Sequence, residues 1–224
     1  MLTEFHTRFE GGKRWRLTPE GVEVEGEGVT RSRGEPITVT TLWQDYGEDI
    51  LHAAWEVGCP VDMVVAMIPI EAVRLPGSKT FDPKSNRFEP GYISDEETPH
   101  RRSPGLMQTL ISTADSMARR IGLEKEVTTE LLFDPFYSIL LGGAYIAYQV
   151  GRYGPDPVLI CGAYNAGSVR KTDTNEWRIL SYGRTRMDRY VEWYNDFHFA
   201  VREGLIDLPE DTLLSLPKSG EGLS

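Results

Sequence analysis

The sequence has few residues suited to metal binding or disulfide formation. Its only two cysteines, Cys59 and Cys161, lie far apart in apolar surroundings, which favours free buried thiols over a disulfide. The four histidines are scattered, without the spacing to cysteine or to one another that metal sites need. The sequence therefore predicts no metal site, and no motif indicates a cofactor.

Long apolar runs are also missing. No stretch approaches the roughly 18 consecutive apolar residues of a membrane-spanning helix. Residues 1–8 lack the apolar core of a signal peptide. These absences predict a soluble chain, made in the cytoplasm and without a membrane partner.

Positive charge is scarce. The chain has 24 lysines and arginines against 34 aspartates and glutamates, a formal net charge of −10. Nucleic acids and anionic membranes reward clustered positive charge, so neither is expected as a partner. With 224 residues, the chain can form one main domain with a sizeable core.

Hydrophobic periodicity predicts a mainly α fold with a small N-terminal β element. Residues 1–40 combine turn glycines with short alternating runs, which predict a β-hairpin extension, and 37–40 is a further candidate strand. From Leu42 the period becomes helical, and a main domain over 41–203 is expected. Residues 204–224 form a tail, expected to be loose from about Pro209. The predicted helices cover about 42–57, 62–71 with Asp62 as its cap, 111–121, 134–153, 157–166 and 186–202.

One apolar stretch, residues 64–73, contains a single carboxylate, Glu71. An ionised carboxylate is costly to bury without a partner, so such a group is usually paired, protonated or placed there for a chemical reaction. A plainer interpretation is that Glu71 ends a core helix and reaches solvent. Pro69, which kinks helices, would turn the carboxylate toward a cleft.

Two further motifs follow Glu71. Ser-Pro-Gly-Leu-Met-Gln occupies 103–108 and Ala-Tyr-Asn-Ala-Gly occupies 163–167, with Thr185-Arg186 and Tyr190-Val191 beyond them. This order resembles the soluble lytic transglycosylases, which share the goose-type lysozyme fold, over about residues 42–200. The resemblance implies a lysozyme-like domain that binds the glycan strands of bacterial peptidoglycan and cuts the β-1,4 bond between MurNAc and GlcNAc.

The resemblance also implies a role for each motif residue. Glu71 would be the general acid and then the base, giving 1,6-anhydro-muramyl products. An apolar setting of this kind raises a glutamate pKa, as in the lysozyme precedent. Gln108 and Met107 would line the groove, and Asn165 would hold a sugar substituent. The two tyrosines would serve the acid, Tyr164 by standing near it and Tyr190 by a hydrogen bond.

Each of these residues also has a structural interpretation. Met107 would fill the core, Gln108 would start a helix and Asn165 would end one. The two tyrosines, Tyr164 and Tyr190, would be packed aromatics with satisfied hydroxyls. A non-catalytic wall-binding or phage-tail module would keep the same groove.

The sequence departs from the family pattern at two places. Ala72 stands where the family commonly has serine, and the spacer from Glu71 to Gly105 is longer than in compact members. This spacer is acidic, and a second carboxylate across the cleft would make the protein a water-activating muramidase. The candidate second carboxylates are Glu89, Asp95, Glu96 and Glu97.

Residues 87–92, Arg-Phe-Glu-Pro-Gly-Tyr, resemble a segment of phage-type members. A wall-cleaving enzyme made without an export signal would need delivery to the periplasm. The sequence therefore suggests a phage-encoded enzyme, either associated with virion or tail proteins or acting as an endolysin.

Overall fold

The computed structural model describes residues 2–183 and 185–216 of the chain. Its elements are mainly helical, as predicted, with two small two-stranded sheets, of which only the N-terminal one was expected. The helices are α1 Ile37–Val57, α2 Val61–Glu71, α3 Ile111–Ile121, α4 Thr129–Leu132, α5 Pro135–Tyr153, α6 Pro157–Ala166 and α7 Arg186–Arg202. The strands are β1 Trp15–Thr18, β2 Gly21–Val24, β3 Asn86–Phe88 and β4 Arg102–Pro104, and Pro99–Arg101 forms a 3₁₀ turn.

Helix α2 is the central element of the core. It packs against α1, α5 and α7, and almost all of its residues are buried. A helix that is apolar on every side can be stable only when other elements surround it. Its sequence, Val-Asp-Met-Val-Val-Ala-Met-Ile-Pro-Ile-Glu, therefore places both of its carboxylates inside the protein.

The predicted N-terminal hairpin is formed by β1 and β2, which pair antiparallel. Its inward side chains belong to the same hydrophobic core as the helices. Asn195 of α7 accepts a hydrogen bond from the Val22 amide at 2.7 Å and donates one to the Val22 carbonyl at 3.0 Å. These two bonds fix the hairpin to α7.

The sequence predictions for residues 37–40 and for the start of the tail are wrong. Residues 37–40 begin α1 instead of forming a strand, because buried Val39 and Leu42 continue the helical spacing of that element. The segment 209–216 is not loose, since Leu216 is buried and the Leu213 carbonyl accepts from the Val61 amide at 2.9 Å. The rest of the predicted loose tail, 217–224, lies outside the described residues.

The polar connection after α2 contains structure that the sequence did not reveal. Strand β3 pairs antiparallel with β4, with Arg87 opposite Ser103. The amide of Gly105 donates to the Ser85 carbonyl at 2.7 Å. The Val73 amide, two residues after α2, donates to the Ser85 hydroxyl just before β3 at 3.0 Å, which holds this pair of strands beside the C-terminus of α2.

Two further predictions concern residues away from the site. Both cysteines are free and buried, which confirms the prediction made from their surroundings. None of the helices within 2–183 and 185–216 combines the length and the apolar character needed to cross a membrane.

Candidate active site

Glu71 is the last residue of α2 and is only 5% exposed. Helix α2 keeps Pro69 in its last turn and stops at Glu71, after which Ala72 is extended. The carboxylate therefore sits where the central helix ends. A helix C-terminus carries partial negative charge, so this position disfavours an anion.

The carboxylate lies at an open cleft of about 780 Å³. The β3–β4 hairpin and the segment that follows β3 form one wall of it, and the end of α6 with the segment that follows it forms another. The residues that line the cleft are Glu71, Arg87, Glu89, Pro90, Arg101, Ser103, Gln108, Thr109, Leu110, Thr113, Tyr145, Tyr164, Asn165, Gly167, Tyr182 and Arg186.

Two arginines contact the Glu71 carboxylate. The Arg186 guanidinium donates to both of its oxygens, and Arg87 Nη1 lies 3.8 Å from Oε2. Burial raises the pKa of Glu71 above its ordinary value, although the ion pairs with Arg186 and Arg87 act in the opposite direction. Burial is the larger effect, so Glu71 holds a proton at higher pH than an exposed glutamate does.

The Gly-Leu-Met-Gln motif forms a tight turn seated on the start of α5. Gly105 has φ +84°, and a Cβ there would lie 2.0 Å from the Leu132 carbonyl and 2.4 Å from Ser138 Oγ. Only glycine fits this close approach. The Met107 amide donates to the same Ser138 oxygen at 3.1 Å, which fixes the turn on α5.

The turn separates its last two residues. Gln108 lines the cleft, as the resemblance implied, and its side-chain nitrogen donates to the Gly105 carbonyl at 2.8 Å. Met107 does not line the cleft. Its side chain is fully buried against Gly142 of α5, so its predicted place in the groove is wrong and the core-filling interpretation holds.

Helix α6 brings Tyr164 and Asn165 to the cleft. Asp156 caps this helix by accepting from the amides of Val158 and Leu159, and Pro157 occupies the first helical position. Tyr164 and Asn165 then fall in the last turn, and both line the cleft.

The Tyr164 hydroxyl is held firmly. It donates to the Met107 carbonyl at 2.8 Å, and since a phenol has one proton, Thr109 donates to it at 2.9 Å. Burial and the nearby Glu71 charge raise its pKa well above the usual range, so Tyr164 stays neutral beside the acid. The predicted proximity of Tyr164 to Glu71 agrees with this geometry.

Tyr190 does not make the hydrogen bond to Glu71 that the resemblance implied. It lies one turn into α7 and is fully buried, and its hydroxyl has no hydrogen-bond partner among the described residues. Arg186, at the first position of the same helix, reaches the carboxylate instead. The contact was therefore assigned to the wrong residue of α7.

Sequence reasoning missed the two arginines and Tyr182. Arg186 is distant from Glu71 in the chain, and the motif Thr185-Arg186 was noted only as part of a resemblance. Arg87 belongs to the Arg-Phe-Glu-Pro-Gly-Tyr segment, which was the available signal for it. Tyr182 is 63% exposed at the cleft edge, and nothing in its local sequence marked it.

Of the four candidate second carboxylates, Glu89 alone lines the cleft with Glu71. Its Oε1 accepts from the Ser103 hydroxyl at 2.8 Å. Asp95 instead pairs with Arg102 at 2.7 Å and accepts from the Tyr92 hydroxyl. Within the described parts of the chain, no three His, Cys, Asp or Glu side chains are grouped so that they could hold a metal ion.

Comparison with known proteins gives one curated relative and one solved structure of note. A putative soluble lytic murein transglycosylase from Haemophilus influenzae is 37% identical over 204 residues, which cover 85% of this chain and 32% of the relative. The chain thus spans about a third of that relative's length. An inactive mutant of the lytic transglycosylase Slt from Pseudomonas aeruginosa is 20% identical with a TM-score of 0.44, covering 71% of this chain and 24% of that one.

The family model named transglycosylase SLT domain matches residues 82–178. The matched range contains Gln108, Tyr164 and Asn165, whereas Glu71 precedes it and Arg186 follows it. The match agrees with the predicted lysozyme-like fold class. Residues 82–178 are therefore similar to the transglycosylase SLT domain family, and the motifs at 103–108 and 163–167 lie within the matched range.

Proposed function

We propose that the protein is a peptidoglycan lytic transglycosylase that cuts the β-1,4 bond between MurNAc and GlcNAc. One observation carries this proposal: a glutamate whose pKa is raised by burial lies at an open cleft of about 780 Å³. Cleaving a glycosidic bond requires an acid that is still protonated near neutral pH. The SLT-domain match and the name of the Haemophilus influenzae relative support the substrate class.

In the proposed reaction, Glu71 both gives and recovers one proton. Its carboxyl protonates the glycosidic oxygen as the bond from that oxygen to C1 of the muramyl residue breaks. The resulting carboxylate takes the proton of the muramyl C6 hydroxyl as that oxygen bonds to C1. The products are a 1,6-anhydro-muramyl end and a free 4-hydroxyl, no water is consumed, and Glu71 ends protonated.

The other cleft residues would bind and orient the glycan. Asn165 offers an amide at the end of α6, and Gln108 offers a side chain held by the Gly105 turn. Tyr164 keeps a neutral hydroxyl near the acid, and its bond to the Met107 carbonyl fixes the ring. Exposed Tyr182 presents an aromatic face at the cleft edge.

Glu89 supports a second candidate, a muramidase. Hydrolysis needs a second carboxylate flanking the bond, and Glu89 lines the same cleft as Glu71. In that reaction Glu89 would activate a water or attack C1, and the product would have a reducing end.

The test measures soluble muropeptides released from purified peptidoglycan by wild type, Glu71→Gln and Glu89→Gln. Loss of a general acid costs about 10²–10⁴-fold in rate, so Glu71→Gln should fall by about that factor. Glu89→Gln should retain most of the release if Glu71 acts alone. A comparable loss in both variants would favour the muramidase, and no release by wild type would favour a non-catalytic wall-binding module.

We also propose that the protein is phage-encoded, either a virion or tail component that opens the wall at infection or an endolysin. This proposal rests on the resemblance of residues 87–92 to phage-type members, together with peptidoglycan as the substrate. Detection of the protein by mass spectrometry in purified virions would support a virion role. A chromosomal gene with a cleaved export leader would exclude phage delivery.

A further inference from the structure

The partners of Glu71 create a charge problem for an acid. The Arg186 side chain is only 9% exposed, and its terminal nitrogens donate to both Glu71 oxygens, while its Nε donates to the Tyr182 carbonyl at 3.1 Å. Arg87 approaches the same carboxylate from the β3–β4 hairpin. Ionised Glu71 is thus the counter-ion of a buried guanidinium.

Protonation of Glu71 would remove that counter-ion. Leaving a buried charge unpaired is strongly unfavourable, so Arg186 requires another anion or strong acceptor when Glu71 carries its proton. The proposed reaction begins with protonated Glu71, and the present inference rests on that requirement. The replacement partner must arrive with the ligand unless a protein group supplies it.

None of the described protein groups around Glu71 and Arg186 supplies a replacement anion for Arg186. Cys161 and Tyr164 of α6 face it, and burial raises the pKa of both, so both are neutral at physiological pH. Glu89, beyond β3, lines the cleft, and its carboxylate accepts from Ser103. No ion pair joins Glu89 to Arg186 within the described residues. Arg101 adds a further cation to the cleft wall.

The cleft therefore concentrates arginine in a chain whose formal net charge is −10. Arg87, Arg101 and Arg186 all line it. Sugar hydroxyls alone do not require three guanidinium groups. Guanidinium groups pair best with carboxylates, which they can bind through two parallel hydrogen bonds.

We propose that the cleft binds a carboxylate of the muramyl unit, and that this carboxylate replaces Glu71 as the partner of Arg186. Two sources share this chemistry: the free lactyl carboxyl of a peptide-free muramyl residue, and a carboxylate of its peptide stem. Binding of the anion and protonation of Glu71 then favour each other by linkage. The ligand that occupies the cleft thereby places the acid in its reactive state.

The test uses calorimetric titration of GlcNAc-β-1,4-MurNAc, which contains no MurNAc–GlcNAc bond and so cannot be cleaved. The matched neutral probe is the same disaccharide with its lactyl carboxyl converted to an amide. Wild type should bind the acid more tightly than the amide, and this preference should grow about tenfold for each pH unit of acidification above the pKa of Glu71. Equal binding of these two probes and of the disaccharide carrying its peptide stem, at all pH values, would overturn the proposal.

Two variants test the contributions of Glu71 and Arg186 to anion binding separately. Glu71→Gln mimics the protonated acid and frees Arg186, so the variant should bind the acidic probe at least about tenfold more tightly at neutral pH and lose the pH dependence. Arg186→Gln should lose the preference for the acid. Arg189→Gln is the matched control, because Arg189 is exposed nearly one turn along α7 and pairs with Glu192. Unchanged affinity in Glu71→Gln would overturn the proposal even if Arg186→Gln failed to fold.

A third probe, the disaccharide carrying its peptide stem, distinguishes the two sources. Tighter binding of the free lactyl acid assigns the site to peptide-free glycan, and tighter binding of the stem-bearing probe assigns it to a stem carboxylate. These titrations do not depend on turnover. If wild type cleaves peptidoglycan but binds the acid, the amide and the stem-bearing probe equally, the anion site is refuted while the proposed function stands. If wild type cleaves nothing but shows the predicted binding, the proposed function is refuted while the anion site stands.

Discussion

The two ends of α2 each bury a carboxylate, and their surroundings are opposite. Asp62, in the first turn, is fully buried and accepts from the Met63 and Ser215 amides and from the hydroxyls of Ser215 and Tyr194, and it contacts His198. Its position at a helix N-terminus favours a negative charge. Although Asp62 was expected to cap α2, Pro60 precedes the helix and Asp62 lies inside its first turn.

Glu71 occupies the end of α2 that is less favourable for a negative charge. It lies at the C-terminus of α2 and opens onto the cleft, and its charge depends on cations from outside its own helix. The comparison of Asp62 with Glu71 shows that burial of a carboxylate alone does not identify a catalytic acid. A sealed carboxylate with several fixed donors holds structure together, whereas one at an open cleft with exchangeable partners can change its charge.

The largest expected effect on stability comes from the Asp62 end. Asp62→Ala leaves buried donors on Tyr194 and Ser215 without their acceptor, which should lower the free energy of unfolding by about 4 kcal/mol. Activity per folded molecule should stay near wild type. Urea unfolding monitored by tryptophan fluorescence measures this, with exposed Asp45→Ala as a control expected within about 0.5 kcal/mol. Lost activity at unchanged stability would mean that Asp62 takes part in catalysis, and would contradict the contrast between Asp62 and Glu71.

Near the Glu71 end of α2, the largest expected effect on stability comes from the backbone turn at Gly105. Gly105→Ala forces a Cβ into the Leu132 carbonyl and should cost about 3 kcal/mol, with reduced activity because Gln108 and Met107 shift. Gly122→Ala is the matched control, with φ +73° and open space around its Cβ, and should cost only about 1 kcal/mol. Equal unfolding free energies in the two variants would mean that the turn can relax.

Acid titration should give Glu71 a distinct signature. Burial raises its folded pKa above 4.5, so the folded state holds the proton more tightly than the unfolded state does. Wild-type stability is therefore lost as pH rises from about 4.5 through the folded pKa, by about 1.4 kcal/mol for each unit between the two pKa values. Glu71→Gln should lack this loss.

Urea unfolding of wild type and Glu71→Gln at a series of pH values checks that titration. The variant should gain stability relative to wild type across the window and should match it most closely at the acid end. A relative gain by wild type as pH rises would mean that the pairing with Arg186 outweighs burial.

The smallest expected effect is that of Tyr190→Phe. The Tyr190 hydroxyl has no hydrogen-bond partner among the described residues, so its removal should leave stability unchanged or raise it by about 1 kcal/mol. Turnover should be unchanged, in contrast to what a hydrogen bond to Glu71 would give. A large fall in kcat with normal folding would return Tyr190 to the site.

Elements with long regular periodicity were predictable from the sequence. The helix expected over about 134–153 is α5, and its Asp-Pro start was readable because Asp134 caps it and Pro135 opens it. The strand expected at 37–40 failed because four alternating β-branched residues fit either period. The hairpin of β3 and β4 was missed since its strands are three residues each.

The site was predictable only where one local segment carries it. Gln108, Tyr164 and Asn165 belong to compact motifs, and all three line the cleft. Met107 is adjacent to Gln108, but the reversal at the turn buries it. The partner of Glu71 was not predictable, because Arg186 and Tyr190 are four residues apart on the same side of α7. The packing alone decides which of the two reaches the carboxylate.

The most direct test of the central claim is mass spectrometry of the muropeptides that wild type releases from purified peptidoglycan. A single acid at Glu71 predicts 1,6-anhydro-muramyl ends, lighter than reducing ends by one water molecule. These ends should persist in Glu89→Gln and disappear in Glu71→Gln. Reducing ends that disappear in both variants would contradict the claim and establish a two-carboxylate hydrolase.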